Sequence, residues 1–193
     1  GLKDAKLEAT FKNALENADK KELKNFLDSK GEKISVNSQD GKNYLFSIVE
    51  HYASNNKDLR EIFEEYFDRI IGDINITDTE GKNLLCYIIE FRDIELLKMF
   101  FKKVHERKER VNLNTEEVAP LVPALILAAG MGNEKMVEFL LDEALNPNAV
   151  IKLEGTSFSA IEIAAFKNHK EVVNILLAHN AKWDFMSEKL EKI

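Results

Sequence analysis

The chain repeats itself, and no other feature restricts its possible folds as much. Residues 34–50 read ISVNSQDGKNYLFSIVE and residues 74–90 read INITDTEGKNLLCYIIE. The two align without a gap, with Gly41 on Gly81, Lys42 on Lys82, Asn43 on Asn83 and Leu45 on Leu85, at an offset of 81 − 41 = 40 residues. Residues 111–117, VNLNTEE, open like residues 74–77 at an offset of 111 − 74 = 37. Residues 123–141 lie over residues 159–177 at 159 − 123 = 36, placing Ala128 and Ala129 on Ala164 and Ala165, and Leu140 and Leu141 on Leu176 and Leu177. A period of this length is one supersecondary unit, which buries its apolar face only by stacking on its neighbours.

Each repeat predicts two helices joined by a tight turn. In the second helices apolar residues recur at three- and four-residue spacing, as in Met136, Val137, Leu140, Leu141 and Val172, Val173, Leu176, Leu177. Leu, Glu, Lys and Ala are abundant and favour helix, while 3 prolines and 8 glycines argue against a fold built on many tight turns. Helices of about ten residues are marginal alone, so each must pack on its neighbours. An insertion around residues 51–58 separates the two helices of the second repeat.

The motif sequence resembles ankyrin repeats. Residues 123–149 supply PALILAA, GN, MVEFLL and ALNPNA, and residues 159–184 supply SAIEIAA, NH, VVNILL and NAKWD; the middle repeat carries EGKNLL at the family's DGxTPL position. The resemblance implies an all-α ankyrin-repeat solenoid of stacked helix-turn-helix units with short hairpin-like loops. It divides a single domain of 1–193 into units at about 5–37, 38–77, 78–114, 115–153 and 154–184, with a tail or cap at 185–193. The first unit lacks its hairpin, and the tetrapeptide TPLH is intact nowhere, so weaker hydrogen bonding is expected at the starts of the first helices.

Gly130-Met131-Gly132 is the stretch most like a phosphate cradle. A dinucleotide fingerprint needs a preceding strand and a third glycine, where Lys135 stands, and a P-loop needs G-K-[ST]; neither is present. Gly132 is expected to turn the chain between two helices. Residues 73–78 alternate oxygen side chains like a calcium loop but lack the glycine and glutamate such a loop needs. His51, His105, His169 and His179 do not share metal-ligand spacing, and His169 falls where the family often has a turn histidine. Cys86 replaces the TPLH histidine and reads as a small core residue, with no base beside it to make it a nucleophile. The basic run at 102–110, KKVHERKER, follows a second helix and reads as a solvated loop, with docking to acidic groups as the alternative. No catalytic residue, metal or cofactor is expected.

A formal net charge of −7 argues against a nucleic-acid-coating domain. One cysteine cannot form an internal disulfide, and no apolar run reaches the roughly 20 residues of a bilayer span. What the resemblance implies is a non-catalytic, monomeric scaffold in a cytoplasm, its own or a host's. It binds another protein, neither nucleic acid nor membrane, in a concave groove. The alternative is the targeting module of a larger enzyme or secreted effector. Family geometry places Asp40, Lys42, Glu80, Lys82 and Phe158 on the hairpins of that groove. It places Glu50, His51, Glu90, Phe91, Gly130, Met131, Phe166 and Lys167 at the ends of the first helices. The first half of this set is charged. Phe91, Met131, Phe158 and Phe166 make the second half apolar, the composition of interface anchors; the alternative is that Phe91, Phe158 and Phe166 pack against one another or against the tail at 185–193.

Overall fold

The computed structural model describes residues 2–30, 42–52, 56–108, 124–143 and 145–183. Among them are ten helices in five consecutive pairs. The pairs are α1 (Leu2–Glu16) with α2 (Lys20–Ser29), α3 (Tyr44–His51) with α4 (Lys57–Ile70), α5 (Leu84–Glu90) with α6 (Ile94–Arg107), α7 (Ala124–Gly130) with α8 (Glu134–Asp142), and α9 (Ala160–Phe166) with α10 (Lys170–Ala178). The one sheet among these residues is a hairpin of β1 (Val150–Leu153) and β2 (Thr156–Ser159), paired antiparallel with Ile151 opposite Phe158. The repeat frame therefore became an all-α repeat fold, as its periodicity requires.

The chain forms two compact units, residues 1–111 and 112–193. In the N-terminal unit the first helices stack as α1, α3, α5 and the second helices as α2, α4, α6. Aromatic rings join one repeat to the next. Phe11 of α1, Phe26 of α2 and Tyr44 of α3 form a triangle with centroids 4.9–5.3 Å apart. Phe46 of α3 meets Tyr87 of α5 at 4.9 Å, and Phe67 of α4 meets Phe100 of α6 edge-on at 6.2 Å. Such contacts add about 0.5–1.5 kcal/mol each to the area they bury. In the C-terminal unit α7 packs on α9 and α8 on α10, around a smaller-residue core including Ala128, Ala129, Val137, Leu140, Ile161, Ala164 and Leu176.

The α1–α2, α5–α6, α7–α8 and α9–α10 turns share one backbone solution. Ala18, Arg92, Gly132 and Asn168 all have left-handed φ, between 47° and 69°. In the last repeat the Asn168 amide donates to Ala165 O and the His169 amide to Ala164 O, and in the fourth Gly132 donates to Ala129 O and Asn133 to Ala128 O. These are Schellman pairs, which satisfy the last carbonyls of the first helix. The next residue then caps the second helix: Asp19, Asp93 and Asn133 each accept from the amide three residues on.

Among the described residues the starts of α3, α5 and α9 are also capped, against the expectation drawn from the missing TPLH. Asn43 accepts from the Leu45 amide at 2.9 Å and donates from Nδ2 to Ile70 O at 3.1 Å; Asn83 accepts from the Cys86 amide at 3.0 Å. Ser159 forms a capping box with Glu162. A buried side-chain oxygen is what the helix start needs, and Asn or Ser supplies it as Thr does.

The outer seam between α2, α4 and α6 is ionic. Lys20 and Lys24 reach Glu61 at 2.8 and 2.9 Å, Lys24 also reaches Glu65 at 2.9 Å, and Lys103 reaches Glu64 at 3.2 Å. The hydrogen bonds and charges of Lys20 and Lys24 lower the Glu61 carboxyl to about 2 from 4.5. A carboxyl depressed in the folded state contributes stability that is fully present above its unfolded value and is lost as pH falls through the folded one. Thermal stability should therefore decline between about pH 4.5 and pH 2, and Glu61→Gln should flatten part of that decline in melting curves taken across this range. An unaltered pH profile in the variant would show that solvent and salt already screen these exposed pairs to nothing.

Candidate partner-binding surfaces

The hairpin before α5 is built on Asp78. Its Oδ1 accepts from the amides of Glu80 and Lys82 at 2.8 and 2.9 Å, and its Oδ2 accepts from the Tyr87 hydroxyl. Burial opposes ionisation of Asp78, but these donors prevail and hold its carboxyl below the ordinary range. Burial and the same hydrogen bond push the Tyr87 hydroxyl up. The Tyr87 ring lies within cation–π reach of both Lys42 and Lys82, at 5.9 and 6.0 Å.

These two lysines hold equivalent places in successive repeats, and each reaches the far end of the first helix that follows it. Lys42 pairs with Glu50 at 2.9 Å, and Lys82 with Glu90 at 3.2 Å and Glu80 at 3.8 Å. Five expected groove residues of the N-terminal unit, Lys42, Glu50, Glu80, Lys82 and Glu90, are thus linked by ion pairs in two repeated sets. His51 ends α3 in solvent, and Phe91 caps α5 half-buried. Asp40 lies outside the described residues. Beside Lys42 and Glu50, α1 and α3 border a half-open cavity of about 220 Å³ lined by Glu8, Phe11, Lys12, Leu15, Glu16, Ser47 and His51 as well. Its α1 residues were not expected, because the first repeat matches the family too weakly to assign groove positions there. The signal was present: Glu8, Lys12 and Glu16 recur at four-residue spacing beside Phe11 and Leu15, also four apart.

In the C-terminal unit Gly130 and Met131 end α7, and Phe166 and Lys167 end α9, at matching repeat positions. Phe166 is 47% exposed and Lys167 is exposed, whereas Met131 is half-buried. The two turns are tied together by His169, whose Nε2–H donates to Gly130 O at 3.1 Å. A Cβ on Gly132 would sit 2.7 Å from the His169 ring, so the glycine serves both its left-handed φ and the ring packed against it. His169 occupies the cap position of α10 without making the cap bond, having turned its ring to the preceding repeat. The glycine pair is a turn, with nothing of a phosphate cradle in it.

Two expectations fail. Phe158 is 1% exposed, in the core, because the hairpin strand carries it inward rather than to the tip. The basic run begins within α6 instead of a loop. There Lys103 is buried on Glu64, and Arg107 donates to Ile71 O and Gly72 O, closing the carbonyl end of α4; residues 109 and 110 lie outside the described residues. The oxygen-rich stretch at 73–78 spends its carboxylates on its own backbone, Asp73 accepting from the Asn75 amide and Asp78 from the hairpin amides. Cys86 is buried, and burial pushes its thiol up, away from nucleophilic character.

Stacked helix pairs with N-capped helices and Schellman turns, and hairpins before α5 and α9, define a repeat solenoid. The family model for ankyrin repeats (3 copies) matches residues 50–149 and again 112–187. The chain belongs to the ankyrin-repeat family, whose domains are general protein–protein interaction modules and typically non-catalytic. No curated protein matches it in sequence. Among the described residues no helix is long and apolar enough to cross a membrane.

Proposed function

We propose that this chain is a non-catalytic scaffold that binds another protein through grooves lined, within each compact unit, by hairpins and first-helix ends. The observation that carries this is the placement of Phe166. A phenylalanine 47% exposed at the end of a first helix leads into a turn that is fastened to the preceding repeat. A fixed apolar side chain costs little ordering entropy when a partner covers it. Gly130 and Met131 hold in α7 the repeat positions that Phe166 and Lys167 hold in α9, which puts them on the same part of the proposed surface. In the N-terminal unit, Lys42, Glu50, His51, Glu80, Lys82 and Glu90 supply a polar and charged surface with Phe91 beside it, and Asp40 aligns with Glu80 in the repeat frame. A monomer acting in a cytoplasm accords with the lone buried thiol of Cys86 and the acidic balance of the chain.

The test uses peptides selected from a random display library on the wild-type chain. Phe166→Ala should weaken a selected peptide at least tenfold while leaving the helical circular dichroism unchanged. Phe91→Ala and Phe166→Ala together should abolish binding. Selected peptides that bind the double variant as tightly as wild type would refute the groove reading. A large loss of helical signal in the double variant would instead place both rings in the core.

A further inference from the structure

We propose that the cavity between α1 and α3 receives a single cationic side chain, arginine or lysine, from the partner protein, with Glu8 as its anchor. This rests on the protein-binding reading above and specifies what one part of that surface recognises. Glu8 is 9% exposed and is one of the residues that line the cavity. Its Oε1 accepts from the Tyr44 hydroxyl at 2.7 Å, and no cation among the described residues pairs with it. A carboxylate taken that far out of water is costly unless a positive charge meets it. Lys12, one turn along α1, lines the same cavity but is exposed and does not close on Glu8.

The rest of the lining fits the same occupant. Phe11 and Leu15 are buried and apolar, a wall for the methylene stem that lysine and arginine keep along apolar surface. Glu16 and Glu50 stand exposed at the rim, and Lys42 already neutralises Glu50 at 2.9 Å. Three carboxylates against two ammonium groups leave an acidic surplus, which selects a cation over a phosphate or carboxylate. Size points the same way. About 220 Å³ falls short of the roughly 300 Å³ at which cofactor-sized pockets begin.

The decisive measurement is a ¹H–¹⁵N NMR titration of the whole chain with three capped amino acids: N-acetyl-arginine, N-acetyl-lysine and N-acetyl-norleucine methylamides. Norleucine carries the lysine stem without its charge. Saturable shifts confined to residues 8–16 and 42–51 are expected with arginine or lysine, and binding at least tenfold weaker with norleucine. Glu8→Gln keeps an acceptor for Tyr44 and should weaken the cationic ligand about tenfold. Glu16→Lys, on the exposed rim, tests the same charge preference without touching the core. Equal binding of norleucine, or unchanged arginine and lysine affinity in both variants, would overturn the proposal. Absence of any shift with either cation would overturn it too, and a library peptide still binding at Phe166 would then leave the protein-binding reading intact. If capped arginine binds but no library peptide is ever selected, the cavity is not a partner-binding pocket and the proposal also fails.

Discussion

Replacing Gly132 with alanine should cost about 1.5–3.5 kcal/mol of unfolding free energy, a large effect for one added methyl group. Left-handed φ costs an L-residue roughly 1–2 kcal/mol, and Gly132 sits at φ +69°. The new Cβ would meet His169 Cε1 and Nδ1 at 2.7 Å, closer than real contacts allow, so the ring must leave. With it goes the hydrogen bond to Gly130 O, a contribution of about 0.5–1.5 kcal/mol. A double-mutant cycle with His169→Ala separates the two parts, because only the backbone cost survives once the ring is absent. Urea unfolding of the four proteins supplies the numbers. Strict additivity would mean that the ring and the glycine do not interact, and steric coupling between the two turns would be ruled out.

Asp78→Ala should be comparably severe, at about 3–4 kcal/mol. It removes a charged acceptor from the Tyr87 hydroxyl and from the amides of Glu80 and Lys82 together. Hydrogen bonds to charged groups contribute about 1.5–3 kcal/mol, and orphaned buried donors carry a further desolvation cost. Tyr87 is buried, so its hydroxyl cannot turn to bulk water. Adding Tyr87→Phe to the alanine variant should therefore recover part of the loss, while Asp78→Asn, which retains an acceptor, should fall between. Because the native carboxyl is held below its ordinary range, its contribution is present above that range and lost on acidification. Denaturant midpoints at pH 7 and pH 3 would show the variant's deficit shrinking at the lower pH. A deficit equal at both would rule out the charged form as the source.

The fold was legible because its signature is periodic. Matching Gly41 with Gly81 and Leu140 with Leu176 needs only the chain itself, and stacking follows from helices too short to stand alone. The expected helix order, the buried small thiol at Cys86 and the turn at Gly132 all derive from that frame. What the frame hid were substitutions that keep a role while changing the residue. Asn43 and Asn83 cap helices where the family pattern has threonine, and Lys103 and Arg107 looked like solvent-facing charge until their neighbours on α4 were in place. Surfaces were less legible than the core. A hairpin phenylalanine can face in or out on a one-residue change of pleat, and Phe158 faces in. The cavity beside Glu8 depends on two helices from different repeats, and no local pattern encodes a space between them.

The four left-handed turn residues bear on how such a chain can diverge. Alanine, arginine, glycine and asparagine occupy one backbone conformation at Ala18, Arg92, Gly132 and Asn168. The turn is imposed by the paired helices and the cap that follows it, so identity at this position carries little of the information that specifies the fold. Three of the four tolerate a mild conformational penalty, leaving the position open to drift. Only at Gly132 has a neighbouring ring removed that freedom. A lineage can therefore vary these exposed corners, which adjoin the first-helix ends, and acquire new surface chemistry without relearning how to fold.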